Sequence, residues 1–431
     1  MSETRTMWAL AGTLAAQQAG HHLMGIVDAA MLGRYSDAAL AGAGVGNNLY
    51  FGITCLGLGV IMGIDTVVPQ ALGAGRDDEA RRAVGAGVRL AVLVGLMTTL
   101  VVFASPQLLV LADVDPEVIH EARAFTYMRA LGAVPFLITI ALRSYLAAHS
   151  RTRPLIIAVI VGNIANAGLD LLLIFVAGLG SIGAALATTI VQSMMLVIYL
   201  LGVRGIERDR GPRPPSTRAD MMRIARFGLP VGGQLFAEVG IFGVASVLAA
   251  HIGKAAAGAH TIALNLSSLT FSFGLGVASA ASVRVGHAVG AGNLALARER
   301  GLIALRLGLA VMACFAATFV IMPRTLAGLF TSDAVVIATT VSLLQIAALF
   351  QLSDGAQAIA AGALRGLGET RATFVGNIFG HYLIGLPLLL GLAFGAGLGA
   401  AGLWWGLSAG LTVTAIYLVI RFLRSTNQSR R

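Results

Sequence analysis

Arg204–Met222 reads RGIERDRGPRPPSTRADMM. It gathers Arg204, Glu207, Arg208, Asp209, Arg210, Arg213, Arg218 and Asp220 around Pro212, Pro214 and Pro215. Such a composition neither buries itself in lipid nor propagates a helix. The stretch lies near the midpoint of the 431 residues, and long apolar runs succeed one another on both sides of it. It therefore reads as a water-exposed connector, 204–222, between membrane-embedded halves at 1–203 and 223–431.

Composition agrees. The chain is 57% hydrophobic and only 12% charged, with a mean hydropathy of +0.83. Soluble domains carry roughly 25% charged residues. The 54 glycines suit close approach of membrane helices. Cys55 and Cys314 fall in separate apolar runs and define no disulfide framework. The net charge of +10 is placed at span ends, which is a topology signal and not a nucleic-acid surface. Met1–Thr6 is short and polar, and a full span follows it, so no cleavable signal peptide is expected.

Twelve spans are expected, near 7–33, 42–68, 85–105, 121–147, 155–177, 182–203, 223–250, 257–283, 301–322, 336–363, 373–395 and 400–423, giving an all-α integral membrane fold. With both termini on one side, 25 of the 30 Lys and Arg share that side. The other side keeps Arg34, Arg123, Arg129, Lys254 and Arg324, with Asp113, Asp115 and Glu117. The bias orients both termini to the cytoplasm.

The halves echo one another. Gln70–Gly75 (QALGAG) and His287–Gly292 (HAVGAG) are offset by 217 residues, Leu142–Arg143 and Leu364–Arg365 by 222, and Gly180–Gly183 and Gly399–Gly402 by 219. An offset spanning six helices makes the repeats parallel, an architecture whose substrate site lies where the repeats meet.

Ionisable groups inside spans are the candidates for chemistry, because burying them in lipid is costly. Asp28 lies late in the first span. Asn166 and Asp170 share one face of the fifth at i,i+4, and Thr188 or Thr189 of the sixth can add a hydroxyl. Two carboxylates, an amide and a hydroxyl suit a hard cation. The same acids, crowded in low dielectric, instead share protons. In the second half, Pro230 opens the seventh span, Glu238 follows two turns later, and Asp354 lies in the tenth. His21, His22, Phe350 and His381 are candidates for tuning or lining a cavity, against a bland reading as ordinary packing. Asp65 reads as a clamp at a helix end, and Arg284 and Arg365 as topological anchors. No phosphate-cradling loop, metal-binding motif or nucleophile–base pair is present, which argues against an ATP-driven pump and against an enzyme.

VDAAMLGRYS around Asp28, GIDTVVPQALGAGR at 63–76, LRSYLAAHSRTRP at 142–154, GLPVGGQLFAE at 228–238 and LRGLGETR at 364–371 together resemble the MATE (multidrug and toxic compound extrusion) family, nearer its NorM-like branch. The resemblance covers essentially the whole chain. It implies two six-helix lobes in a V, alternating access, and export of cationic or amphipathic organic compounds from the cytoplasm across the inner membrane, driven by inward H⁺ or Na⁺ with no other cofactor. By motif, Asp28, Asn166, Asp170 and Thr188 correspond to an N-lobe proton or cation site, and Glu238 and Asp354 to a C-lobe one. Two departures stand out. No proline precedes Pro69, so the first span lacks the family's usual bending residue. Phe350 stands where some members carry a tyrosine hydroxyl.

Two further readings stay open: a flippase for a lipid-linked saccharide, which would want a cationic cavity, and an uncoupled channel or receptor. Nothing in the sequence demands more than a monomer or calls for nucleic acid as a partner.

Overall fold

In the computed structural model, which describes residues 3–111 and 115–427, the chain is helical throughout, with no strand among the described residues. Asp113, Arg430 and Arg431, used in the topology count, lie outside the described residues. The helices are α1 Glu3–Tyr35, α2 Asp37–Ile61, α3 Ile64–Gly73, α4 Asp77–Ala104, α5 Pro116–Ala130, α6 Ala133–Ala148, α7 Arg153–Asp170 and α8 Gly180–Glu207. There follow α9 Arg218–Ile252, α10 Lys254–Gly290, α11 Leu294–Ile321, α12 Pro323–Gly328, α13 Ala334–Leu367, α14 Thr370–Asn377, α15 Leu386–Leu390 and α16 Gly399–Ser425.

Ten segments among the described residues are long and apolar enough to cross a bilayer, and eleven if the bent pair α5–α6 is one span. The 33-residue α1, about 50 Å at 1.5 Å per residue, supplies the twelfth. Its Gln17, Gln18, His21, His22 and Asp28 lower its hydropathy. Large apolar side chains face outward where lipid would lie: Leu100 is 71% exposed, Ile164 69% and Val247 70%. The chain is thus a multi-pass membrane protein.

Helix starts follow from local capping. The Ser36 side chain accepts from the Ala39 amide at 3.4 Å. Asp115, before Pro116, accepts from the Glu117 amide at 2.8 Å. Asp333 accepts from Val335 and Val336 at 2.8 and 3.0 Å. Each satisfies amides that the first helical turn leaves without partners.

The chain divides into two compact units, one of Ala16–Gly232 and one of Met1–Ala15 with Gly233–Arg431. In the first, the start of α9 packs backbone to backbone on α2, and a Cβ at Gly228 would overlap the Val60 carbonyl. In the second, Trp404, Leu407, Phe350, Leu343 and Leu389 form the centre of a large apolar core. Here too Glu3 accepts from Arg284 and Arg300, so the start of α1 is tied to α10 and α11. Hydrogen bonding from Arg300, aided by Arg284, holds the Glu3 carboxyl below its ordinary range.

The repeats recur in backbone detail. The Ala177 amide bonds Leu172 O and the Leu179 amide bonds Leu173 O, at 2.8 and 3.0 Å; Ala396 to Gly391 and Leu398 to Leu392 do the same at 2.8 and 3.1 Å. Both pairs close a π-helical segment, Leu171–Val176 and Gly391–Gly395, with glycines at positive φ just after it, Gly178 and Gly397.

Three details depart from the expected ones. The Leu142–Arg143 echo is one helical turn out of register: α6 and α13 end alike, with Arg151 N on Leu146 O and Glu369 N on Leu364 O, so Leu146 is the counterpart of Leu364. Pro230 lies well inside α9, which begins at Arg218, and does not open the span. The non-helical connector is shorter than 204–222 and is anchored. The buried Arg81 guanidinium donates to Glu207 Oε2 at 3.0 Å and to the carbonyls of Arg210 and Gly211 at 3.1 and 2.7 Å, while Tyr145 donates to Glu207 Oε1 at 2.5 Å.

Candidate functional sites

The first site lies in the Ala16–Gly232 unit. α1 brings Asp28, the end of α7 brings Asn166 and Asp170, and α8 brings Thr188. Thr188 Oγ1 donates to Asp28 Oδ2 at 3.0 Å. Asn166 and Asp170 are fully buried and adjoin Asp28. Donors are nevertheless scarce. Asp28 Oδ1, both oxygens of Asp170, and both polar atoms of Asn166 are buried with no hydrogen-bond partner. The two carboxylates thus share the site with one hydroxyl donor, Thr188, which bonds Asp28. A charged pair of this kind is unfavourable in low dielectric unless a proton or cation joins it. The π-helical segment begins at Leu171, directly after Asp170; its i→i+5 bonding is a feature enriched at functional sites.

The second site lies in the other unit and has the opposite character. Glu238 Oε1 accepts three amides: Gln234 Nε2 at 3.1 Å, Gln357 Nε2 at 2.5 Å and Asn377 Nδ2 at 2.6 Å. Asp354, 8% exposed, lies one turn before Gln357 on α13. The amide oxygens of Gln234 and Asn377 are buried without partners. A third π-helical segment, Ile378–Gly385, follows Asn377.

For a metal, the described residues contain no cluster of three or more His, Cys, Asp or Glu. Any cation would have to share each acid pair with neutral oxygens: Asn166 Oδ1 and Thr188 Oγ1 in the first site, Gln234 Oε1 and Asn377 Oδ1 in the second. Those donors are hard, which suits Na⁺ rather than a transition metal.

The remaining candidates divide. Phe350 is 2% exposed and packs edge-on against Trp404 and Phe242, with centroids 5.5 and 6.0 Å away. It is part of the core. His381 is 2% exposed and its Nδ1 has no partner. His21 is half-buried and His22 exposed on α1; neither is hydrogen-bonded to the acid pair. Asp65 accepts from Ser144, matching a clamp at the start of α3, and Arg284 anchors Glu3.

Three groups escaped the sequence reading. The Gln234–Gln357–Asn377 crown did, because buried amides carry no charge to mark them. So did a chain in which Trp404 Nε1 donates to His260 at 3.2 Å and His260 pairs with Ser246 at 3.1 Å. Ser246 Oγ donates to Phe242 O at 2.9 Å, which leaves it to accept from His260 Nε2–H and fixes a neutral tautomer. The third is Arg129, assigned to the far side of the membrane but 8% exposed inside the fold, its guanidinium 4.4 Å above the Tyr50 ring. The expected fourth span, 121–147, already contained it, and that was the available signal.

Comparison with known proteins follows the same lines. The family model described as MatE matches residues 14–172 and 230–390. A Pseudomonas putida protein named probable multidrug resistance protein NorM is 34% identical, over 98% of this chain and 94% of its own. A Deinococcus radiodurans protein of the same name is 35% identical, over 100% and 97%. The crystal structure of the eukaryotic MATE transporter AtDTX14 aligns over 100% of this chain and 99% of its own with TM-score 0.90 and 22% identity, a likeness of fold.

Proposed function

The chain belongs to the MATE family of membrane transporters, NorM-like branch, and we propose that it is a multidrug exporter whose coupling cation, H⁺ or Na⁺, seats between Asp28 and Asp170. The observation that carries this is the contrast between the two acid sites. Glu238 is already supplied with three amide donors, whereas the Asp28–Asp170 pair has Thr188 alone and leaves Asp170 bare. A bare buried acid pair is what an incoming cation neutralises.

In this reading, cationic or amphipathic drugs and the coupling ion compete for the same negative charge, and each binding event biases an alternating-access equilibrium. The protein resides in the inner membrane with both termini cytoplasmic, and its two repeats, 1–203 and 223–431, act as lobes joined by the connector. It works as a monomer. Sodium is the second reading, favoured by the hard oxygens of Asn166 and Thr188. The missing hydroxyl at Phe350 weighs against a complete sodium site at Glu238 and Asp354. A diphosphate-binding flippase is disfavoured by acids at both sites.

The test is dye efflux from proteoliposomes holding the full chain, with proton and sodium gradients imposed separately. Ethidium leaving under one gradient identifies the coupling ion. Ethidium moving under neither overturns the exporter reading.

A further inference from the structure

His149 ends α6, and the backbone sets its place. The chain turns at Ser150, whose φ is +55°, and the Arg151 amide closes on Leu146 O at 2.9 Å. His149 is left half-buried, its ring tilted against Tyr145 with centroids 4.3 Å apart. Its Nδ1 lies 3.0 Å from Tyr145 O, and its Nε2 lies 3.4 Å from Arg210 Nη1 in the connector.

These two contacts admit one protonation state. A carbonyl only accepts, so Nδ1 carries the hydrogen; a guanidinium only donates, so Nε2 presents its lone pair. An imidazolium has no lone pair to present. A proton on Nε2 turns the acceptor into a donor facing a donor and sets two cations side by side. Two carboxylates complete the surroundings. Glu207 of α8 accepts from Tyr145 at 2.5 Å and from Arg81 at 3.0 Å, and pairs with Arg213 at 3.5 Å. Asp77 of α4, 61% exposed, lies 3.8 Å from Arg210 Nη1. Both acids and Tyr145 O favour the imidazolium, and Arg210 opposes it. Burial is the largest influence and holds the His149 imidazole below its ordinary range.

We propose that His149 is a proton-operated latch on the connector: neutral, it holds the Arg210 side chain, and protonated, it lets that side chain go. The sign follows from the lone pair. The latch is closed above the ordinary histidine value of 6.5 and weakens as pH falls through the lowered one. Arg81 donates to the carbonyls of Arg210 and Gly211, bonds that the imidazole does not share, so acid loosens the connector without detaching it. On the reading that places both termini in the cytoplasm, the pH sensed is that of the cytoplasm, and the link between the two repeats gains slack when the cytoplasm acidifies.

The test is spin-label mobility in the full chain in nanodiscs, which expose both membrane faces to one buffer. Exposed Asp209, beside Arg210, is replaced as Asp209→Cys in a Cys55→Ala, Cys314→Ala background and labelled with a nitroxide. With His149 in place, the mobile component should grow about threefold between pH 7.5 and pH 5.5, with a midpoint below that of a free histidine. His149→Gln, whose amide oxygen accepts from Arg210 at every pH, should stay ordered throughout. Arg210→Gln, able to accept as well as donate, should lose the pH response too. Unchanged mobility over this range with His149 in place overturns the latch without needing either variant. So does a His149→Gln protein that loosens on acidification as the parent does, since another group is then sensing the proton. No dye moves in this experiment, so its failure is distinct from failure of the exporter reading.

Discussion

Thr188 Oγ1 lies 3.0 Å from Asp28 Oδ2, and it is the hydroxyl that ties α8 to an acid whose other oxygen, like both oxygens of Asp170, is buried without a partner. Removing it leaves the pair with no protein donor and a cation with one oxygen fewer. Thr188→Val should raise the half-saturating concentration of the coupling ion about tenfold, for roughly 1–1.5 kcal/mol lost with one hydrogen bond to a charged group. Thr188→Ser should stay near wild type. Initial efflux rates against driving-ion concentration check it, and an unchanged Thr188→Val curve would remove this hydroxyl from the site.

The second acid site should respond through stability. Asn377→Ala takes away the 2.6 Å donor to Glu238 Oε1 and leaves a small cavity next to a buried carboxylate. A cost of about 1–3 kcal/mol is expected, seen as a lower melting temperature of the detergent-purified protein. Asn377→Asp should fare worse, since it sets a third acid beside Glu238 and Asp354.

His260 bridges Trp404 and Ser246 inside the core of the second unit. His260→Phe strands the Trp404 indole N–H and should lower the melting temperature by several degrees, again about 1–3 kcal/mol. His260→Gln, able to accept from the indole, should recover part of the loss. Equal melting of wild type and His260→Phe would mean that the chain adds nothing.

Arg81 fixes the connector through Glu207 and the carbonyls of Arg210 and Gly211. Arg81→Ala should expose the Arg210–Gly211 peptide bond, giving severalfold faster trypsin cleavage between the halves of the folded protein. Mass spectrometry of the fragments identifies the bond. Arg213 is a poor site in any case, because Pro214 follows it.

The span pattern and the duplication were legible because both rest on long-range regularities: apolar length, arginine placement and glycine turns such as Gly178 and Gly397. Asp28, Asn166, Asp170 and Thr188 were legible as charges and an i,i+4 pair in apolar surroundings, and folding brings all four together. What stayed hidden depends on register and direction. The Leu142 echo slipped by a turn, because a Leu-Arg pair recurs cheaply, whereas the helix-end geometry at Ser150 and Gly368 does not. Gln357 and Asn377 gave no signal, since an amide in a helix looks the same whether it faces lipid or Glu238. Arg129 was assigned by the sidedness rule, which counts arginines near span ends and does not see one turned inward over a tyrosine.

The measurement that bears most directly on the coupling site is gradient-driven ethidium efflux by Asp28→Asn and Asp170→Asn proteoliposomes beside Asn377→Ala, with reconstituted protein quantified in each. If the Asp28–Asp170 pair seats the coupling ion, both Asn variants lose at least about 90% of driven efflux while Asn377→Ala, a loss of one neutral donor elsewhere, retains most of it. Wild-type efflux by either Asn variant would contradict the account.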